Sequence, residues 1–200
     1  MDDMDLYEFE KSLAGDKKPF CGVDEAGRGP LAGPVCAAAV ILPEEIVIPG
    51  LNDSKKLSEK KREELYDVIC EHAVTFGIAF AGVEEIEALN IKGATYLAMD
   101  RAIALLEYPP ALALVDGNDR NTLSVPALKV IKGDQKCASI AAASILAKVT
   151  RDRYMLELDK LHPQYGFAKH KGYGTAAHYA ALREYGPSPV HRPTYLRKMH

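Results

Sequence analysis

The sequence contains no run of apolar residues long enough to cross a lipid bilayer. Its longest such run, VCAAAVIL at residues 35–42, is far shorter than the roughly 20 residues that a membrane-spanning helix needs. The first five residues, MDDMD, are acidic and lack the apolar stretch of a signal peptide. We therefore expect a soluble protein located in the cytoplasm.

Cysteine is scarce, and no repeat or low-complexity tract is visible. The four cysteines, Cys21, Cys36, Cys70 and Cys137, form no CxxC pair and have unrelated spacings. This pattern indicates free thiols in a reducing compartment and argues against a disulfide framework or a cysteine-ligated zinc site. With 48% hydrophobic residues, a chain of 200 residues can bury a sizeable core without such cross-links.

The small net charge of −3 argues at first against a nucleic-acid partner, but the charge is unevenly distributed. Residues 129–200 contain 13 of the 25 Lys and Arg residues and only 5 of the 28 Asp and Glu residues. A basic C-terminal third could form a phosphate-facing surface. An uneven distribution also arises by chance, so this feature alone does not decide between the two interpretations.

Strand and helix patterns alternate along the chain. Apolar segments predict strands at residues 19–24, 34–42, 73–82, 111–115 and 127–131. Helical spacing predicts helices at residues 58–70, 84–89, 92–107, 139–161 and 175–185. This interleaving indicates an α/β domain with a mixed central sheet flanked by helices, in which the first two strands pair antiparallel.

The chain divides into three predicted parts. Residues 1–17 form a polar arm or a short helix, and residues 18–160 form the main domain. Residues 161–200 form a small C-terminal helical segment.

Four acidic residues lie where predicted strands end. Asp24 and Glu25 precede a Gly-Arg-Gly turn, Asp116 follows the apolar segment ALALV, and Asp134 lies between a strand and a helix. An isolated buried carboxylate is costly, so these groups must be solvated, paired or bound to a cation. If the strands are neighbours, their acidic ends converge, and a divalent ion relieves the repulsion. Ligands that are all oxygen suit Mg²⁺ or Mn²⁺.

Such a cluster has a known chemical use. Two metal ions about 3.5–4 Å apart can activate a water and stabilise the leaving oxygen of a phosphodiester. Neighbouring residues on a regular strand point to opposite faces, so Asp24 and Glu25 can share a site only if the strand ends or bulges there.

Each acid also has a purely structural interpretation. Asp134 could cap a helix, Asp116 could belong to a turn, and Asp24 with Glu25 could be a solvated strand end. Four such acids together, three of them at or near a glycine, favour a metal site.

Several motifs resemble those of the bacterial ribonuclease HII family. The longest is GVDEAGRGPLAGPV at residues 22–35, and a second joins GDQK at 133–136 to SIAAASILAK at 139–148. Shorter matches follow in family order: DSKKL at 53–57, VDG at 115–117, RDR at 151–153, HKGYGT at 170–175 and HR at 191–192. The resemblance covers residues 18–196.

The resemblance implies a ribonuclease H-like fold, with residues 18–160 as the catalytic domain and residues 161–200 contacting the substrate. It implies a metal-dependent endonuclease that hydrolyses the RNA strand of RNA–DNA hybrids and cuts 5′ of single ribonucleotides in duplex DNA. The products carry a 5′-phosphate and a 3′-hydroxyl, and the roles implied are in DNA replication and repair. The family's metal-binding catalytic acids match Asp24, Glu25, Asp116 and Asp134, and the cofactor is Mn²⁺ or Mg²⁺.

The resemblance also implies a substrate site. The Gly27-Arg28-Gly29 turn resembles the family element that senses the ribose 2′-hydroxyl at an RNA–DNA junction. Glycines permit close backbone approach, and this hydroxyl is what distinguishes RNA from DNA. Tyr173 matches the tyrosine that stacks on the next sugar and favours DNA there.

Three further residues have two interpretations each. Lys55 and Lys56 contact backbone phosphates, or they form a solvated pair in a loop. Asp152 lies behind the metal ligands, or it pairs with Arg151 or Arg153 on the surface of its helix.

The small residues 141–143 indicate tight packing of a helix on the sheet. His162, His170 and His178 lack Cys or carboxylate partners at zinc-ligand spacing, which argues against a zinc site.

Two other classes of function compete with this interpretation. A transposase-like or resolvase-like enzyme also needs clustered acids, but not the Gly-Arg-Gly turn or Tyr173. A non-catalytic nucleic-acid-binding protein needs the basic surface, but its acids would repel phosphates without metal. The expected partners are RNA–DNA hybrids and ribonucleotide-containing duplex DNA. We expect a monomer without an obligate protein partner, and no sliding-clamp motif is visible near the C-terminus.

Overall fold

A mixed sheet of five strands forms the centre of the computed structural model, which describes residues 3–52, 54–119 and 121–197. The strands are β1 (Phe20–Ala26), β2 (Val35–Ile41), β3 (Thr75–Ala81), β4 (Leu112–Asp116) and β5 (Ala127–Val130). Their order is β3-β2-β1-β4-β5, with β1, β2 and β3 antiparallel and β4 and β5 parallel to β1. The predicted α/β class, the mixed sheet and the antiparallel first pair are confirmed.

Helices cover both faces of this sheet. They are α1 (Asp3–Ala14), α2 (Glu59–His72), α3 (Val83–Ala104), α4 (Ala138–Leu161), α5 (Phe167–His170), α6 (Ala176–Tyr185) and α7 (Pro193–Leu196). α4 packs on one face, with α1 and α2 beside it, and α3 packs on the opposite face. Within the described part of the chain, no helix has the length and apolar character needed to cross a membrane.

Strand β1 continues two residues beyond its predicted end at Asp24. It pairs with β2 without interruption as far as Ala26, opposite Cys36, while its pairing with β4 stops at Val23. The expectation that the strand ends or bulges at Asp24 and Glu25 is therefore wrong. The two acids project from opposite faces because β2 continues to pair with β1 where β4 no longer does.

Helix α4 lies almost in contact with β1 at Gly22. A Cβ built on Gly22 would be 2.1 Å from the backbone carbon of Ser139 and 2.3 Å from the backbone nitrogen of Ile140. Residues 141–143 are fully buried between α4 and the sheet, as their small side chains predict. This close approach brings the start of α4 to the strand that carries Asp24.

We expect Gly22→Ala to lower the free energy of unfolding by about 3 kcal/mol, the upper part of the usual range for overpacking, because the obstacle is backbone. Gly82→Ala is the control, since Gly82 has negative φ and a Cβ built there meets nothing within 4 Å. It should change the free energy of unfolding by less than about 1 kcal/mol. Urea unfolding followed by circular dichroism measures both, and equal losses would contradict the close-contact argument.

Helix α3 consists of two helical segments joined at Asn90, which has φ 57° and ψ 170°. The Asn90 Oδ1 accepts hydrogen bonds from the backbone N–H groups of Lys92 at 2.9 Å and Gly93 at 3.3 Å. Asn90 thus caps the second segment. The predicted pair of helices with a break between residues 89 and 92 is confirmed.

Of the two alternatives for the N-terminal segment, the structure shows a helix at Asp3–Ala14 rather than a polar arm. In α1, Leu6 and Tyr7 are buried in the cluster that α4 forms with the sheet. The Glu10 carboxylate accepts hydrogen bonds from the Ser139 backbone N–H at 2.8 Å and hydroxyl at 2.7 Å. Burial raises the pKa of Glu10 to about 7, although the bonds from Ser139 oppose the shift. Glu10 therefore joins α1 to the start of α4.

The segment after α4 packs against the loop that joins β1 to β2. Leu31 and Ala32 of this loop share a buried cluster with Met155, Phe167 and Leu182. Backbone hydrogen bonds at 2.8 Å reinforce the contact, one of them from the Leu31 N–H to the Gly172 carbonyl. The boundary at residue 160 stays a prediction, and Asp53 of the DSKKL motif lies outside the described residues.

Candidate active site

Three of the four predicted acids converge at one end of the sheet. Asp24, Asp116 and Asp134 each offer a carboxylate oxygen, and these oxygens lie within 4.8 Å of one another. Asp24 comes from β1, Asp116 from the end of β4, and Asp134 from the 3₁₀ turn of residues 133–135 before α4. The parallel pairing of β1 with β4 is what brings the first two side chains together.

Asp24 is a buried carboxylate whose pKa is raised. Only 4% of the surface of Asp24 is exposed to solvent. Burial raises the pKa of Asp24 well above its usual range, and the charges of Glu25 and Asp116 raise it further. Hydrogen bonds from the Glu25 backbone N–H at 2.7 Å and from the Ser144 side chain oppose the shift. A site that disfavours its own negative charge in this way fits a divalent cation with oxygen ligands.

The other two acids are fixed by the turn that precedes α4. The Gly133 backbone N–H donates to Asp116 Oδ1 at 2.7 Å, so the turn holds the end of β4. The structural interpretation of Asp134 as a helix cap is wrong, because the residue before α4 is Cys137. Asp134 is buried within the turn instead, facing the other two acids.

Glu25 lies beside this group rather than in it. Its carboxylate is 3.3 Å from Nη1 of Arg28. Burial raises the pKa of Glu25, while the Arg28 charge and hydrogen bond lower it and the Asp116 charge raises it again. Glu25 is therefore close enough to respond to Asp116, but its strand position directs it to the α3 side. Its role as a metal ligand stays a prediction.

A groove with a volume of about 500 Å³ opens next to these acids. It is lined by residues 25–29, Ser54, Lys55, Arg62, Lys148 and Tyr173. The structure thus brings together the Gly-Arg-Gly turn, Lys55 and Tyr173, which the sequence analysis assigned to the substrate. Tyr173 is 43% exposed, and a Cβ built on Gly29 would be 3.6 Å from its Cε1. The tyrosine ring therefore lies against the turn.

The two lysines of the SKK turn point to different places. Lys55 lines the groove, and its charge acts on Glu25. Lys56 instead donates to Gln135 Oε1 at 3.0 Å and lines a separate surface pocket. Ser54 bonds to Ser144 of α4 at 2.9 Å between hydroxyl oxygens, so the turn is tied to the helix that also supports Asp24. Sequence reasoning missed both serines.

Asp152 pairs with neither of the arginines proposed for it. Its carboxylate is 2.8 Å from Nζ of Lys148, one turn earlier on α4. Arg153 pairs with Glu63 of α2 instead, and Arg151 is buried. Because Lys148 lines the groove, Asp152 orients a cation toward the site. The spacing of four residues could have indicated this pair from the sequence.

Two buried arginines hold the loop that carries the turn. Arg192 is 0% exposed and donates to the carbonyls of Gly27 at 2.7 Å, Arg28 at 2.9 Å and Gly33 at 2.8 and 2.9 Å. Arg151 donates to three further carbonyls, those of residues 32, 34 and 171. Neither guanidinium faces solvent, so these two charges of the basic C-terminal third do not contribute to a phosphate-facing surface.

Gly27 is required where these arginines meet the turn. Its φ is +94°, and a Cβ built there would lie 1.9 Å from Nε of Arg151. Any side chain would displace the arginine as well as strain the backbone. Burial lowers the pKa of Arg192 to about 10, with the Arg151 charge acting in the same direction.

His170, His178 and His191 lie together in the C-terminal segment. The rings of His170 and His178 stack at 4.3 Å, and those of His178 and His191 are 5.2 Å apart. In the described part of the chain, the only group of His, Cys, Asp or Glu side chains close enough to share a metal ion is that of the three aspartates, so the histidines do not form a second metal site there. The ring nitrogens are engaged in hydrogen bonds instead.

Burial lowers the pKa of His191 from 6.5 to about 4, and the His178 charge acts in the same direction. Above pH 6.5 the ring is neutral in both folded and unfolded chains. Between pH 6.5 and 4 only the unfolded chain binds the proton, so the free energy of unfolding decreases as the pH is lowered through this range. We expect His191 to account for a loss of about 3 kcal/mol between pH 7 and 4. Urea unfolding at each pH, compared with His191→Gln, measures it; parallel curves would contradict the prediction.

Comparison with known proteins identifies the same family that the sequence motifs resemble. The profile of the family described as Ribonuclease HII matches residues 21–199. A Ribonuclease HII of Caldicellulosiruptor saccharolyticus is 50% identical over 198 residues, covering 98% of this chain and 97% of that protein. A Ribonuclease HII of Dechloromonas aromatica is 61% identical over 175 residues, covering 88% of this chain and 89% of that protein.

A solved structure shares the fold. The RNase HII chain in a PCNA:RNase HII complex from Archaeoglobus fulgidus superposes with a TM-score of 0.73 at 25% identity, covering 88% of this chain and 93% of that chain. The predicted ribonuclease H-like fold is confirmed. On the profile match, the two relatives and this fold, the chain belongs to the ribonuclease HII family, whose members are metal-dependent nucleases.

Proposed function

We propose that this chain hydrolyses the RNA strand of RNA–DNA hybrids and cuts 5′ of single ribonucleotides in duplex DNA, leaving a 5′-phosphate and a 3′-hydroxyl. The observation that carries the proposal is the position of the three-carboxylate site beside the groove of the Gly-Arg-Gly turn and Tyr173. A generic nuclease needs only the carboxylates. The adjoining turn and ring supply a means of recognising one sugar.

Asp24, Asp116 and Asp134 would hold the divalent ions, with Glu25 beside them, and their oxygen-only chemistry fits Mn²⁺ or Mg²⁺. Two such ions, when bound, activate a water and stabilise the leaving oxygen of the phosphodiester. The residues themselves orient the reaction, since Gly133 holds Asp116 and Ser144 holds Asp24. The Asp24 carboxylate is itself shielded from bulk water by the residues around it.

The Gly-Arg-Gly turn is held by side-chain hydrogen bonds in the absence of substrate. Arg192 binds the carbonyls of Gly27 and Arg28, and the Tyr195 hydroxyl donates to the Arg28 carbonyl at 2.8 Å. A turn fixed in this way loses little entropy when a ribose approaches its backbone. We propose that it recognises the 2′-hydroxyl, the group that distinguishes RNA from DNA.

Tyr173 would contact the sugar that follows the ribonucleotide. Its ring lies against Gly29 and is half-exposed to the groove. We propose that the ring in this place leaves room for a deoxyribose and excludes a second 2′-hydroxyl. Lys55, Arg62 and Lys148 line the same groove and would position the phosphates on either side.

We propose further that the chain acts as a monomer in the cytoplasm, on nucleic acid alone and without an obligate protein partner. Its free cysteines suit a reducing compartment. The complex with PCNA belongs to the archaeal relative and is not part of what we propose for this chain. Size-exclusion chromatography with light scattering, with and without a hybrid duplex, tests the proposed monomer.

Cleavage of a DNA duplex with one embedded ribonucleotide tests the function. All-DNA and all-RNA duplexes are the controls, each with Mn²⁺, Mg²⁺ or EDTA. We expect a single cut on the 5′ side of the ribonucleotide, only with metal, and no cut in either control. Equal cutting of all-DNA would contradict the role of the turn and would favour a transposase-like or resolvase-like enzyme.

A further inference from the structure

The three buried histidines are not used by the proposed chemistry, yet they adjoin the groove through Tyr173. His178 and His191 are 0% and 2% exposed. Their Nε2 atoms are 3.0 Å apart. Two nitrogens at this distance share one proton, so one ring donates and the other accepts. The neighbouring groups decide which ring is the donor.

The direction of this hydrogen bond follows from Ser188. The Ser188 backbone N–H donates to Nδ1 of His191 at 3.0 Å, so Nδ1 carries no proton and Nε2 of a neutral His191 does. His191 therefore donates to Nε2 of His178. His178 must then carry its proton on Nδ1, which lies 2.9 Å from the Tyr173 carbonyl. These hydrogen bonds form a relay that runs from the Ser188 N–H through the rings of His191 and His178 to the Tyr173 carbonyl.

Neighbouring aromatic rings hold the relay in place. His170 stacks on His178, and Phe167 lies edge-on to His178 at 5.6 Å. His170 accepts from the Gly172 N–H at 3.2 Å and, with its other nitrogen, bonds to the Tyr165 carbonyl at 2.7 Å. The ring of His178 can therefore tilt little, and its Nδ1–H fixes the Tyr173 carbonyl.

The backbone of Tyr173 in turn determines where its ring lies. Its N–H donates to the His170 carbonyl at 2.9 Å, and its carbonyl also accepts from the Thr175 N–H at 2.9 Å. The side chain has Gly29 on one side and the open groove on the other. Loss of the bond from His178 would let the ring move relative to the turn.

We propose that His178 and His191 are positioning residues that set the preference for deoxyribose after the ribonucleotide by fixing Tyr173. The proposal rests on the proposed function, since it assigns a supporting structure to the same groove. It uses both rings in their neutral forms. A second proton on His178 would place two donors face to face across the contact with His191 at 3.0 Å, and a second proton on His191 would face the Ser188 backbone N–H, also at 3.0 Å.

Cleavage specificity tests this role. Two substrates are compared: a DNA duplex with one ribonucleotide, and a duplex in which ribonucleotides follow the cut site. The measured quantity is kcat/KM for the first substrate divided by kcat/KM for the second. His178→Phe keeps the ring packing but loses both bonds, and we expect the ratio to fall about tenfold. His178→Asn keeps a donor for the Tyr173 carbonyl and should recover much of the ratio. His191→Gln leaves the donor on His178 and should lower the ratio less than His178→Phe.

The result that overturns the proposal is an unchanged ratio in His178→Phe accompanied by a lower melting temperature, which describes a merely structural residue. Tyr173→Ala separates this failure from failure of the proposed function. If it lowers the ratio while His178→Phe does not, only the relay is wrong; if wild type cuts neither substrate, both proposals fail. Imidazole ¹⁵N NMR gives a test without cleavage, and a proton on Nε2 of His178 at pH 7.5 would also overturn the relay.

Discussion

Replacement of Asp24 or Asp116 by Asn is expected to reduce cleavage at least about 1,000-fold while the chain stays folded. Each substitution keeps the size of the side chain and removes one of three carboxylates whose oxygens lie within 4.8 Å. A loss of about 4 kcal/mol of transition-state stabilisation corresponds to this factor, and metal ions contribute stabilisation of that order. Single-turnover cleavage of the single-ribonucleotide duplex with saturating Mn²⁺ measures it.

Stability should move in the opposite direction for Asp24→Asn. The folded chain holds the Asp24 proton more tightly than the unfolded chain does, because burial and the charges of Glu25 and Asp116 raise its pKa. Ionisation of Asp24 therefore lowers the free energy of unfolding as pH rises above 3.8. Without metal at neutral pH, Asp24→Asn should melt at or above the wild-type temperature, and added Mn²⁺ should raise its melting temperature less.

Glu157→Gln is the matched control for these variants, since Glu157 is exposed and pairs with Lys160 on the surface of α4. Its cleavage rate should stay within about twofold of wild type, because surface pairs contribute little. Near-normal cleavage by either Asp24→Asn or Asp116→Asn would refute the assignment of these acids as metal ligands.

Replacement of Arg192 by Leu is expected to lower the free energy of unfolding by about 3–5 kcal/mol. The guanidinium is fully buried and serves the carbonyls of Gly27, Arg28 and Gly33. Leucine fills part of the space but leaves these acceptors without their donor. Arg192→Lys keeps the charge without the planar fork and should lose an intermediate amount. Urea unfolding at pH 7.5 measures both variants.

Arg183→Leu is the comparison, because Arg183 is an exposed residue of α6. Its expected effect is within about 0.5 kcal/mol. Arg192→Leu should also weaken the discrimination between ribonucleotide-containing and all-DNA duplexes, since the turn loses its support. If Arg192→Leu were no less stable than Arg183→Leu, the buried guanidinium would not hold the loop.

Most elements of the fold follow from local patterns. Apolar periodicity predicts all five strands, and Ser58 marks the start of α2, where its hydroxyl accepts from the Lys61 N–H at 3.2 Å. The three aspartates could be predicted to converge because acids at the ends of neighbouring buried strands have few other stable arrangements. The strand and helix signals are strong because each depends on residues close together in the chain, and each aspartate is recognised by the apolar strand or the turn next to it.

The features that the sequence does not reveal depend on distant contacts. The continuation of β1 past Asp24 follows from pairing with β2 and places Glu25 on the other face. Arg192 belongs to a short HR motif, and nothing local indicates that it reaches carbonyls more than 150 residues earlier. His178 and His191 have no periodic spacing, so their hydrogen bond is visible only in three dimensions.

The buried arginines also make an early loop depend on residues that are synthesised late. The Gly-Arg-Gly turn is made early, but Arg151 and especially Arg192, which holds its carbonyls, emerge from the ribosome much later. Until then the loop's carbonyls lack these guanidinium donors, and Asp134 and α4 are absent from the first 130 residues. A nascent chain of 130 residues therefore carries Asp24, Glu25 and Asp116 but lacks Asp134 and both buried arginines. The site is therefore completed only by residues from the last third of the chain.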